Sequence, residues 1–109
     1  MIDWVRIREL QNEIGLEDFD EVIELFLDEV ETEIAMLRAG RDQAQMESRL
    51  HMLKGSALNM GFQTFAEHCQ TGETAAAANR HFEIDVPATL AIYDLSKTEL
   101  LAGLKQQGG

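Results

Sequence analysis

Residues 17–39 read EDFDEVIELFLDEVETEIAMLRA, and within them Phe19, Val22, Ile23, Phe26, Leu27, Val30, Ile34 and Leu37 return at steps of three and four. That spacing lays all of them along one stripe of a single long α-helix, which must be covered by other elements. The remaining positions hold Glu17, Asp18, Asp20, Glu21, Glu24, Asp28, Glu29, Glu31 and Glu33 against Arg38 alone, so nine negative charges and one positive leave −8 of the chain's −11 here. An acidic helix face of this kind reads as a solvated surface rather than as a dedicated cation or partner site.

Working outward, residues 3–13 form a first short helix with Ile7, Leu10 and Ile14 at helical spacing and Gly15 as its stop; its expected role is to cover one end of a bundle. Gly40 closes the long helix. Asp42 and Gln45, three apart, resemble a capping box opening a third helix that runs to about Met60 and ends at Gly61. Residues 62–78 form a fourth helix whose narrow face of Phe65, Ala66, Cys69, Gly72 and Ala76 implies close approach to a neighbour, since Gly72 costs about 1 kcal/mol relative to Ala inside a helix. Residues 79–85 read as a loop. Pro87 suits an early helix position, and Val86, Leu90, Tyr93, Leu100 and Leu104 mark a last helix with a frayed tail at Gln106, Gln107, Gly108 and Gly109.

There is one proline, no sustained strand-like alternation and no Asn-Gly or Asp-Gly turn, so the class is all-α. Short connections make sequential helices antiparallel. The expected fold is an up-down-up-down four-helix bundle with a short N-terminal helix, one domain over residues 1–109.

Composition narrows the function. At 109 residues, 45% hydrophobic and 27% charged, the chain has room for one globular core. No uninterrupted apolar run exceeds four residues, the length of the alanine stretch at 75–78, and no basic-then-apolar leader opens the chain, so a cytoplasmic protein without membrane contact is expected. A net charge of −11 repels a phosphate backbone, which argues against nucleic acid as a partner. The single cysteine, Cys69, allows no intrachain disulfide or thiolate cluster, and no metal site is expected. A haem or metal bundle would need inward-facing His or Glu pairs, and the core stripes are apolar. A self-contained histidine kinase has no room for its nucleotide-binding domain.

The third helix carries the chemistry. Met46, Leu50, Leu53, Ala57 and Met60 fall within one arc, and at about 100° per residue His51 points roughly 140° away from its centre, into solvent. Around it stand Glu47 and Ser48 one turn before, Lys54 and Gly55 one turn after, and Leu58 two turns after. An exposed neutral imidazole is a nucleophile toward a reactive phosphoryl donor. Lys54 can neutralise a phosphoryl group on the ring. Gly55 clears space for another protein's surface, at a propensity cost that a plain solvent face has no reason to carry. Leu58 and Met52 offer apolar docking area, and Glu47 could pair with Lys54 or raise the basicity of His51.

The run His51-Met52-Leu53-Lys54-Gly55-Ser56-Ala57-Leu58-Asn59-Met60-Gly61 resembles the signature of the histidine-containing phosphotransfer (HPt) domain: His-x-Leu-Lys-Gly-Ser, then Gly ten residues after the histidine. Downstream, Phe65, Ala66, Cys69 and Glu73 are similar to the family's leucine, alanine, cysteine and acidic or amide positions. Upstream, Phe26-Leu27-Asp28-Glu29 resembles its Phe-Leu-x-Glu stretch. The resemblance implies a bundle that shuttles a phosphoryl group between receiver-domain aspartates in a multistep phosphorelay, a covalent carrier rather than a self-sufficient enzyme. It implies that His51 carries the group on its exposed nitrogen, Lys54 sits beside the phosphoryl oxygens, and Gly55 admits the receiver. Ser56 would support the helix and Gly61 the turn. Implied partners are response-regulator receivers or a hybrid sensor histidine kinase, with Mg²⁺ held by the receiver and no cofactor on this chain. A free-standing monomer is expected. Leu58, bulkier than the family's usual residue, and Thr71-Gly72, weaker helix formers, depart from the pattern.

His68 and Cys69 are adjacent, so they point about 100° apart and make a poor ligand pair. Cys69 reads as core, His68 as surface and His81 as incidental. Trp4 and Tyr93 read as packing, Met46 and Met60 as core filler and Met52 as a rim contact. The alternative function is an acidic helical adaptor that binds a signalling partner without phosphotransfer.

Overall fold

A computed structural model describes residues 1–39 and 45–108, in five α-helices: α1 Trp4–Ile14, α2 Leu16–Ala39, α3 Met46–Asn59, α4 Gln63–Ala77 and α5 Val86–Gly108. Asp3 caps α1, its Oδ1 accepting from Arg6 N at 3.2 Å, and Gly15 ends it with its N–H on Gln11 O at 2.8 Å. The apolar stripe of α2 is the core wall expected from its spacing: Phe19, Ile23, Leu27, Val30, Ile34 and Leu37 are buried, with Val22 and Phe26 half-buried beside them. On α3, Leu50, Leu53, Ala57 and the following Met60 are buried and Met46 packs against them.

The helices α2, α3, α4 and α5 contact one another in a closed ring, with α3 against α4 the most extensive pairing and α1 laid on α2. Cross-helix contacts run in opposite order along α3–α4 and along α2–α5. Leu50 lies under Gly72 and Lys54 meets Gln70; Glu31 meets Lys97 while Leu37 shares a pocket with Leu90 and Val86. These two pairs are therefore antiparallel, which is compatible with the up-down-up-down bundle expected. A β-bridge between Ile2 and Phe62, the Asp3 N–H on Gly61 O at 2.7 Å, and Arg6 Nε on Asn59 O at 3.2 Å fasten the chain start to the α3–α4 turn. The N-terminal helix does cover one end of the bundle.

Gly61 makes that closure possible. Its φ is +72°, and an added Cβ would lie 2.8 Å from Asp3 O. Gly61→Ala combines left-handed backbone strain with a backbone collision, and is expected to cost about 2 kcal/mol or more in urea or thermal unfolding. An unchanged midpoint would mean that the turn is looser than described.

Several expectations change. Gly40 and Asp42 lie outside the described residues. Gln45 is the N-cap residue of α3 with no capping hydrogen bond, and its Oε1 instead accepts from Arg49 Nη2 at 2.7 Å. The segment 79–85 contains a 3₁₀ turn, His81–Glu83, and Asp85 Oδ1 caps α5 by accepting from Ala88 N at 3.0 Å. The last helix continues through Gly108 rather than fraying from Gln106. Trp4 packs so closely over Gly103 that a Cβ there would collide with its ring, which holds the end of α5 against α1. Thr71 and Gly72 sit within continuous helix; Gly72 lies 2.9 Å, at its would-be Cβ, from Leu50 Cδ1, the close approach that its place in α4 implied.

The core also holds polar groups. Ser96 and Thr89 are buried on α5, each hydroxyl returning its proton to the carbonyl four residues earlier, at 2.8 and 2.9 Å. Tyr93 stacks at a tilt against Phe65 and Phe62, with centroids 5.3 and 6.0 Å apart, and donates its hydroxyl to Glu31 Oε2 at 2.7 Å. Lys97 Nζ reaches the same oxygen at 2.7 Å, and Glu33 pairs with Arg49 Nη1 at 3.0 Å. Two carboxylates of the acidic helix face thus tie α2 to its neighbours instead of facing water alone. Among the described residues no helix is long and apolar enough to cross a membrane.

Candidate functional site

His51 stands in the second turn of α3 with its side chain 69% exposed, as the helical wheel requires. Ser48, Gly55 and Met52 lie on the flank of α3 turned away from α4, and Lys54 on the flank that meets it. Glu47, Ser48, Gly55, Met52 and Leu58 are all exposed. Beyond the local backbone of its own helix, a Cβ at Gly55 would find no heavy atom within 4 Å. Glu47, Ser48 and His51 line an open depression together with Glu73 of α4. Ser56 is half-buried, and Gly61 belongs to the turn at the far end of α3, about 15 Å along the axis from His51.

Glu73 is the residue that sequence reasoning aligned with a family position but gave no role. Its Oε1 lies 2.8 Å from His51 Nδ1, and its Oε2 forms a 3.0 Å ion pair with Lys54 Nζ. An ionised carboxylate only accepts hydrogen bonds, so Nδ1 carries the proton and Nε2 of the neutral ring keeps its lone pair. The contact therefore fixes both the ring's orientation and its tautomer, with the free nitrogen on the solvent side. Glu47 is the residue that spacing along α3 offers for this part. It stands seven residues from Lys54 on the same helix, about 10 Å along the axis, and Lys54 turns instead to Glu73 and Gln70.

The signal for Glu73 lies on its own helix. It follows the buried Cys69 by one turn, so it shares the face of α4 that packs against α3. Lys54 Nζ also donates to Gln70 Oε1 at 2.7 Å, from the same flank. Cys69 is wholly buried, and burial, with the charge of Glu73 adding to it, pushes its thiol up to about 12; it is no nucleophile near neutrality. His68 is exposed on α4 and His81 lies in the 3₁₀ turn. Among the described residues no group of three or more His, Cys, Asp or Glu side chains is placed to hold a metal ion.

Burial alone would raise the Glu73 carboxyl. Hydrogen bonding and charge from Lys54, then from His51, outweigh it and hold the group below its ordinary value of 4.5. A depressed carboxyl contributes stability that is fully present above its ordinary value and is lost as pH falls through the depressed one. Glu73→Gln is therefore expected to cost about 1 kcal/mol at neutral pH, the size of a partly exposed pair, with the gap closing as both proteins are taken through the carboxylate range. Urea unfolding of both proteins over a pH series measures this, and a gap independent of pH would contradict the ionised state of Glu73.

The arrangement amounts to an oriented, solvent-facing imidazole nitrogen, an ammonium one turn on, and an unobstructed glycine beside them. Residues 21–106 match a family model described as Hpt domain. No curated protein and no solved structure matches the chain.

Proposed function

The chain belongs to the Hpt domain family, and from that membership we propose that it carries a phosphoryl group on His51 Nε2 between receiver-domain aspartates of a two-component phosphorelay. Hpt domains are phosphocarrier modules rather than self-sufficient catalysts. The observation that most supports His51 as the carrier is the 2.8 Å contact of its Nδ1 with Glu73 on a side chain that is 69% exposed, since in the neutral ring that contact holds the proton on Nδ1 and leaves the lone pair on Nε2.

In the step proposed, Nε2 attacks the phosphorus of a receiver's aspartyl phosphate. The Nε2–P bond forms, the P–O bond to the aspartate breaks, and the aspartate carboxylate leaves with the electron pair. The ring gains positive charge as the bond forms, and Glu73, hydrogen-bonded to Nδ1–H, stabilises it. Lys54 neutralises the phosphoryl oxygens. Gly55 lets the receiver approach, with Met52, Leu58, Glu47 and Ser48 forming the docking rim. Mg²⁺ would be held by the receiver rather than by this chain, and would there offset the charge of the transferring group. Passing the group to a second receiver reverses the same bonds, so one site serves both directions.

The test is incubation with phosphorylated receivers and Mg²⁺, followed by mapping of the product by mass spectrometry. An acid-labile, alkali-stable phosphate on His51 is expected. A folded protein that takes no label from any receiver of its source would favour an acidic adaptor that binds without phosphotransfer.

A further inference from the structure

Lys54 is a flexible four-carbon side chain, and an ammonium serves a phosphoryl group only if it is held where the group arrives. Helix α4 supplies the hold. Lys54 Nζ donates to Gln70 Oε1 at 2.7 Å, Gln70 Nε2 donates to Thr74 Oγ1 at 3.1 Å, and the Thr74 hydroxyl donates to the Gln70 carbonyl oxygen at 3.0 Å. The last bond uses the only proton of the hydroxyl, so Thr74 Oγ1 can only accept from Gln70. That fixes the amide with its nitrogen toward Thr74 and its oxygen toward Lys54; the reverse orientation would face a donor with a donor at Lys54 and an acceptor with an acceptor at Thr74. Gln70 and Thr74 are both exposed, so burial in the core does not account for their arrangement.

The charge balance points the same way. Lys54 pairs with one carboxylate, Glu73 Oε2 at 3.0 Å, while Gln70 anchors it through a neutral oxygen. A glutamate at position 70 would place a second negative charge where a phosphoryl dianion must enter.

We infer that Gln70, oriented by Thr74, is the positioning residue that presents Lys54 to the phosphoryl group on His51 without adding negative charge beside it. This rests on the phosphocarrier reading above and gives α4 a part in the transfer step.

Phosphoramidate, a small phosphoryl donor that needs no docking surface, tests this apart from receiver binding. Its P–N bond breaks with the electron pair leaving on ammonia, and the Nε2–P bond forms; intact-mass spectrometry follows the product. Gln70→Ala is expected to slow phosphorylation of His51 about fivefold, the effect of losing one ordinary hydrogen bond. Gln70→Glu should also slow it, through charge rather than lost contact. Thr74→Val should slow it about threefold while Thr74→Ser, which keeps the hydroxyl, restores the wild-type rate. In a Lys54→Ala background, Gln70→Ala should have no further effect, as a residue acting through Lys54 requires. Wild-type rates in Gln70→Ala, or the same loss with and without Lys54, would overturn the inference. Failure of the wild-type protein to take phosphate from either phosphoramidate or receivers would instead overturn the carrier reading, and this inference with it.

Discussion

His51→Gln is expected to abolish phosphoryl uptake, from receivers and from phosphoramidate alike, while the helical spectrum and unfolding midpoint stay close to wild type. The effect on transfer is complete because glutamine has no nitrogen lone pair able to take phosphorus. The effect on stability is small because the side chain is 69% exposed and its one named partner is Glu73, so the loss is bounded by the roughly 0–1 kcal/mol of a surface pair. Circular dichroism and urea unfolding beside the labelling assay make the comparison. A large loss of stability would contradict the exposed placement, and residual acid-labile phosphate would move the carrier to another histidine, His68 or His81.

Gly55→Leu should separate docking from chemistry. Beyond the local backbone of α3, no heavy atom lies within 4 Å of a Cβ built at this position, so the folded protein accommodates the new side chain, and helix propensity stabilises it by about 1 kcal/mol. Transfer from a receiver, which must bring its aspartate to within bonding distance of Nε2, is expected to fall by up to about 100-fold, the kinetic equivalent of a 1–3 kcal/mol steric clash. Phosphorylation by phosphoramidate should continue near the wild-type rate, since the small donor needs no such clearance. Equal losses with both donors would place Gly55 in the geometry of His51 itself. A destabilised variant would mean that the glycine is there for packing.

Residues buried on one helix behave as their spacing implies: the α2 stripe, Leu50, Leu53 and Ala57 on α3, and Phe65, Ala66, Cys69, Gly72 and Ala76 on α4. The last helix departs from simple periodicity. Ser96 and Thr89 occupy core positions there as polar residues, made tolerable by hydrogen bonds to their own helix that no hydropathy pattern records. Asp85 falls in a segment whose composition is that of a loop, yet it caps α5 two positions before Pro87. The acidity of α2 was legible as composition, but the pairing of Glu31 with Tyr93 and Lys97 spans more than sixty residues of chain and has no local signature.

The same division runs through the site. His51, Lys54 and Gly55 share one helix, so a rotation of about 100° per residue sets which way each points before any packing is known, and their residue types already name phosphoryl chemistry. Periodicity likewise settles the number of helices and the face each turns inward, because both depend on neighbours within two turns. Glu73, Gln70 and Thr74 depend on something else: the depth at which α3 and α4 sink into each other, set by Gly72 admitting Leu50, and the offset imposed by the Gly61 turn clamped to Asp3. A shift of one helical turn, about 5.4 Å, would remove Glu73 from His51 and Gln70 from Lys54 while every apolar stripe still faced the core. The tautomer of the histidine and the placement of the lysine are therefore properties of the packed bundle, decided by contacts between helices rather than by the order of residues along either one.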